Sequence, residues 1–329
     1  MKTPPLLTME HLSVAYRQDG SWLPAVEDVS LTIEPGETLA LVGESGCGKS
    51  TLGLAITRLT PPSARITGEV SFHGEDLLHC KAAELRRVRG GQIAYVFQDP
   101  ATSLNPVMTI GDQLAEALRL HGGATGANVR ERAMALLSQV GITAPTERLR
   151  SYPHELSGGM QQRVMIAMAI ACKPQLLIAD EPTTALDVTI QVQILELLRR
   201  LRAELGLSVL LITHDLSVVE RTADRVEVMY AGRIVEQATA RQLFEHPAHP
   251  STRGLLDCLP RLAEIAAHRQ PRPIPGQPPR LDHQRPVGCL FHPRCAVVET
   301  RCREAEPSLD RLESDQWARC IKPFSTPKN

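Results

Sequence analysis

The eight residues Gly43-Glu44-Ser45-Gly46-Cys47-Gly48-Lys49-Ser50 have the spacing that builds a cradle for a polyphosphate. Their glycines let backbone N–H groups turn inward, and the helix that follows points its positive end at the same charge. Lys49 supplies a point charge for the β- and γ-phosphates. The Ser50 hydroxyl is a magnesium ligand, and Thr51 supports the α-phosphate side. A chance match to four fixed positions arises in roughly one chain in a hundred of this length. Its place between a strand and a helix makes chance a poorer account still.

Further along, Leu176-Leu177-Ile178-Ala179 runs into Asp180-Glu181. A carboxylate at the end of a buried strand, beside a phosphate loop, is where magnesium needs an anionic partner, and Asp180 takes that part. Glu181, one step on, is the general base for an attacking water. Alone, an Asp-Glu pair would read as a solvated strand end; the phosphate loop changes that. His214 follows another strand in Thr213-His214-Asp215 and is placed to sense a γ-phosphate. Gln98 ends a third in Val96-Phe97-Gln98, where its amide reaches magnesium or the water.

These residues need strands to present them. Leu6 to Ile33 alternates apolar and polar residues, predicting antiparallel strands. Thr38 to Val42 is a short apolar run of buried parallel type, entering a helix predicted from Lys49 to about Leu59. Ile93–Phe97, Leu176–Ala179, Ser208–Thr213 and Val226–Tyr230 read as further strands, the last turning through Ala231-Gly232 into a hairpin. Between them, Val188 to Leu205 carries apolar residues at 194, 197, 198, 201 and 205, an amphipathic crossover helix. Residues 111–140 predict a helical insertion with a turn at Gly122-Gly123.

The α/β domain is predicted to span residues 1–255, with a helical insertion over about 99–165. A linker follows over 256–288, with prolines at 271, 273, 275, 278, 279 and 286, and then a small extension over 289–329. Composition excludes other classes. Lys plus Arg number 36 against 37 Asp plus Glu, so no basic surface for nucleic acid is implied. Aromatics are 3%, too few for a base-stacking platform. The N-terminus lacks the apolar core of a signal peptide. The longest purely apolar run, Val164 to Cys172, is nine residues, whereas a spanning helix needs roughly twenty.

Leu156-Ser157-Gly158-Gly159-Met160-Gln161-Gln162-Arg163 resembles the signature motif of ABC ATPases. The order of phosphate loop, Gln98, signature, Asp180-Glu181, Ala185-Leu186-Asp187 and His214 is similar to that family's series of motifs over about 200 residues. The resemblance implies an ABC (P-loop NTPase) cassette with an antiparallel β-subdomain and a helical subdomain. It implies ATP and Mg²⁺ as ligands, with Tyr16 stacking on adenine. It also implies a two-subunit mechanism, in which Ser157, Gly158, Gly159, Gln161 and Asp187 close over nucleotide held by a partner's phosphate loop. The helix tip at Ser157 suits a γ-phosphate.

A narrower resemblance, to ATP-binding subunits of oligopeptide and dipeptide importers, rests on three stretches. They are Phe97-Gln98-Asp99-Pro100 with Ser103-Leu104-Asn105-Pro106; Glu181 to Thr189; and His249-Pro250-Ser251-Thr252 with Gly288 to Cys295. That family usually has an aromatic where Ser251 stands. The resemblance implies two membrane permease subunits, a second ATPase subunit, an extracytoplasmic binding protein, and residence on the cytoplasmic face of the inner membrane. It further implies a [4Fe–4S] cluster on Cys289, Cys295, Cys302 and Cys320, which have five, six and seventeen residues between them and no C-x-x-C pair. Packed or idle thiols are the alternative there. Cys47, Cys80, Cys172 and Cys258 read as ordinary buried thiols. The alternative function is a soluble, non-transport ABC ATPase acting on ribosomes, DNA repair or phosphonate breakdown. The first two usually carry paired cassettes or a long coiled coil, neither of which is present, and the third leaves the extension unexplained.

Overall fold

A computed structural model of the chain describes residues 4–121, 128–184, 186–259, 273–279, 285–312 and 316–324. It divides into two compact units. One unit holds Glu34–Glu37 and His79–Leu211; the other holds Pro4–Ile33, Thr38–Leu78 and the chain from Ile212 onward.

In the second unit, β1 (Leu7–Gln18) and β2 (Ser21–Ile33) form the expected antiparallel pair. β4 (Arg65–Phe72) lies on the other side of β1, and β5 (Glu75–Asp76) closes this sheet. β3 (Thr38–Val42) is buried along its whole length and pairs in parallel with β9 (Arg225–Tyr230). Apolar side chains on both faces are what a strand covered on both sides requires. The helix α1 (Lys49–Ile56) leaves the phosphate loop and stops three residues short of the predicted end.

β9 turns through Ala231-Gly232 into β10 (Arg233–Thr239), as the sequence predicts. The helices α9 (Leu216–Thr222), α10 (Ala240–Glu245) and α11 (Pro250–Asp257) complete the unit. The extension is built into it. β12 (Trp317–Ala318) pairs with β10 and with β11 (Asp310–Arg311), and Leu290 and Phe291 join the core around Val226, Val228 and Leu256.

In the first unit, β6 (Ile93–Val96) and β7 (Leu176–Asp180) pair in parallel, and β8 (Ser208–Thr213), whose last two residues belong to the second unit, follows β7 in order. The helical insertion contains α3 (Pro100–Ser103), α4 (Ile110–Leu120), α5 (Asn128–Gln139), α6 (Pro145–Arg148) and α7 (Gly158–Ile170), after the short α2 (Ala82–Val88). The predicted turn at Gly122-Gly123 lies outside the described residues, as does much of the proline-rich linker. α8 (Val188–Leu205) matches its predicted span, buries Ile194, Leu197, Leu198 and Leu201, and ends on Gly206 in a left-handed conformation. Among the described residues no helix is long and apolar enough to cross a membrane.

Candidate nucleotide site

The phosphate loop joins the end of β3 to the start of α1. A Cβ on Gly43 would lie 2.2 Å from the Met229 carbonyl oxygen, and one on Gly48, at φ +107°, 2.4 Å from that of Ala25. Only glycine lets the loop pack this close. Lys49 is 4% exposed, and its Nζ donates to the carbonyl oxygens of Gly43 at 2.9 Å and Glu44 at 3.0 Å. The ammonium is thus already drawn to the mouth of the cradle.

Cys47 is buried in the loop, and burial pushes its thiol up. Tyr16 on β1 donates its hydroxyl to Thr51 Oγ1 at 3.4 Å, so the predicted adenine contact does stand beside the loop's helix. His214, just after β8, is exposed in the same unit. The next residue, Asp215, caps α9 by accepting from the Ser217 N–H at 2.9 Å.

The predicted carboxylates belong to the first unit, and three expected residues meet there. Asp180, 5% exposed at the end of β7, accepts a 2.7 Å hydrogen bond from the Tyr95 hydroxyl. Burial, then the Asp180 charge, raises the Tyr95 phenol, which keeps it a neutral donor. Glu181 takes a left-handed backbone, φ +46°, that turns the chain off the strand. Its Oε2 accepts from Gln98 Nε2 at 3.0 Å and from Thr184 Oγ1 at 2.8 Å. A carboxylate held by two donors is oriented before any substrate arrives. Nothing in the sequence marked Tyr95, whose ring packs 4.5 Å from Phe97 in a strand that reads as core.

The signature forms a helix tip as expected. Ser157 caps α7, its Oγ accepting from the Met160 N–H at 3.4 Å, and Gly158 and Gly159 form the first turn. Asp187 caps α8 in the same way, accepting from the Ile190 N–H at 3.0 Å. Gln161 is turned inward: its Nε2 donates to the carbonyls of Pro153 and Leu156. Ala185, within the motif before α8, lies outside the described residues.

The cysteines depart from expectation in two ways. Cys80, Cys172 and Cys258 are only partly buried, leaving Cys47 as the one member of that group inside the core. Cys289, Cys295, Cys302 and Cys320 neighbour one another. Burial pushes the first two thiols up and Cys320 up to about 11, and charge on the other thiols adds to each shift. Yet among the described residues no group of three or more His, Cys, Asp or Glu side chains is placed to hold a metal ion. The expected cluster finds no assembled ligand set.

The chain as a whole is similar to known proteins. Residues 26–184 match the model of the ABC transporter family, and residues 235–302 match that of the oligopeptide/dipeptide transporter C-terminal region. The chain is 50% identical to a peptide import ATP-binding protein of Brucella abortus (strain 2308), over 97% of this chain and 96% of that one. It is 46% identical to the dipeptide transport ATP-binding protein DppD of Escherichia coli (strain K12), over 97% of both. Among solved structures it is similar to a dimeric ATP-binding cassette in a post-hydrolysis state bound to ADP and Pi. That likeness has a TM-score of 0.64 at 30% identity, covering 71% of this chain and 99% of the other.

Proposed function

This chain belongs to the ABC transporter family of ATP-binding proteins, an ATPase that couples hydrolysis to import, and from that premise we propose that its cargo is peptide. The observation that carries the cargo class is the reach of the likeness. It runs past the cassette through the C-terminal region, and the relatives that share it are named for peptide and dipeptide import.

The proposed roles follow from residue chemistry. Lys49 and the amides from Gly43 to Thr51 hold the triphosphate. Ser50, Gln98 and Asp180 are oxygen donors of the kind magnesium prefers, and Asp180, buried at a strand end with a hydroxyl donor on it, fits that ion. When bound, the ion offsets charge on the phosphates. Glu181 takes the proton of the attacking water, steadied by Gln98 and Thr184. His214 contacts the γ-phosphate and Tyr16 the adenine. Ser157, Gly158, Gly159 and Asp187 act on nucleotide held by a second ATPase subunit. The chain sits peripherally on the cytoplasmic face of the membrane, against two permease subunits served by an external binding protein.

A [4Fe–4S] cluster on Cys289, Cys295, Cys302 and Cys320 requires those thiols to ionise and converge. Iron and labile sulfide in anaerobically purified protein test for it, and their absence rejects it.

Lys49→Ala is expected to abolish ATP turnover, and labelled di- or tripeptide uptake should fail in cells carrying it. Co-purification with integral membrane proteins separates the importer from a soluble ABC ATPase. A chain that hydrolyses ATP but neither co-purifies with permeases nor supports peptide uptake overturns the reading.

A further inference from the structure

We propose that Arg294, in the C-terminal extension, is a positioning residue for the phosphate loop, holding the Glu44 carboxylate off the nucleotide and masking its charge. The inference rests on the ATP reading of that loop. Glu44 is the only acidic residue in the stretch Gly43 to Ser50. A carboxylate swinging freely there would repel a triphosphate and compete for Lys49.

The guanidinium prevents this. Its Nη1 lies 2.8 Å from Glu44 Oε2 and donates also to the Tyr230 hydroxyl at 3.3 Å, while Nε donates to the Pro275 carbonyl at 2.9 Å. Its Cζ stands 5.8 Å from the Tyr230 ring centre and 5.9 Å from that of Phe291. The Arg294 side chain is 6% exposed and that of Glu44 19%, so the pair is not one that water screens away. Pro275 and the two rings already give this arginine a carbonyl acceptor and packing without the loop. It also reaches 250 residues back along the chain to the loop.

A second arm supports the first. Arg285 binds Glu27 at 2.6 Å and the carbonyls of Pro24 and Ala231. The following residue, Gly232, donates its N–H to the Cys47 carbonyl inside the loop at 2.9 Å. The extension thus holds the loop at Glu44 through Arg294, while Arg285 of the linker braces the turn that hydrogen-bonds Cys47.

The test is steady-state ATPase and fluorescent-nucleotide binding on the full-length chain with magnesium. Arg294→Gln is expected to raise the KM for ATP about three- to tenfold, the weight of one partly screened charge near the phosphates, with kcat within about twofold. Arg294→Lys keeps the charge and should recover part of the loss. In a Glu44→Gln background, Arg294→Gln should change KM little, because no charge remains to mask.

An unaltered KM in Arg294→Gln, or an equal rise in both backgrounds, overturns the proposal. Should Arg294→Gln fail to fold, Glu44→Gln alone decides: KM at or below the wild-type value supports the proposal, and a raised KM opposes it. Wild-type protein that binds no ATP would instead remove the nucleotide reading itself.

Discussion

Glu181 is the residue on which turnover should depend most steeply. Replacement by Gln keeps an acceptor oxygen for Gln98 Nε2 and the Thr184 hydroxyl, so the local geometry should survive. What disappears is the basic carboxylate. ATP turnover is expected to fall by about 10²- to 10⁴-fold while nucleotide stays bound and holds two cassettes together. ATPase assays paired with size-exclusion chromatography in ATP and magnesium check both halves; near-normal turnover would remove Glu181 as the base. At this scale the sequence was legible where a polar group breaks an apolar run, as at Asp180-Glu181 and Gln98. Tyr95 escaped because its hydroxyl meets Asp180 across 85 residues, a pairing that only the fold creates.

At the scale of elements, three helices are anchored by one device. Thr109, Ser157 and Asp187 cap α4, α7 and α8, and the fourth helical residue of each is a glutamine. Gln113, Gln161 and Gln191 each donate Nε2 to the carbonyls eight and five residues earlier, clamping the incoming loop to the helix it precedes. For Gln161 and Gln191 those loops carry the signature and the segment after Glu181, so the clamps present chemistry at helix tips.

Gln191→Leu keeps helix propensity and volume but leaves the carbonyls of Thr183 and Leu186 short of a donor. A loss of about 1–3 kcal/mol is expected in urea unfolding, with reduced turnover at unchanged nucleotide affinity. Retention of both stability and rate would show the clamp to be dispensable. The helix tip at Ser157 and the long α8 were legible because their signals are local. β4 was not: its buried face is only Val70 and Phe72, too sparse a pattern to set it apart from loop.

For the molecule as a whole, what sequence could least convey is that the extension is not an appendage. One of its attachments is at Glu236, a buried carboxylate that accepts from the Ala248 and His249 N–H groups and from Gln316 Nε2 of the extension. Beside it His249 is 1% exposed, its Nδ1 accepting from the Ser251 N–H at 3.1 Å. The ring must therefore be neutral, and burial lowers its pKa from 6.5 to about 3.

The unfolded chain then binds more protons than the folded one between those values, so this histidine's contribution is full above pH 6.5 and shrinks as pH falls toward 3. Glu236 acts oppositely. Burial raises its carboxyl, so it stabilises below its unfolded value and loses that contribution as pH rises through its folded one. Replacing His249 with Asn puts an amide oxygen where the capping ring nitrogen was and leaves Glu236 in both proteins, so the difference between them isolates the imidazole. Trp22 and Trp317 both lie in this unit and report its unfolding by fluorescence. Between pH 7.5 and 5 the native protein should lose about 2 kcal/mol more than His249→Asn. Parallel pH profiles would mean that the ring is not held neutral, and that the extension closes over the core without the constraint assigned to it.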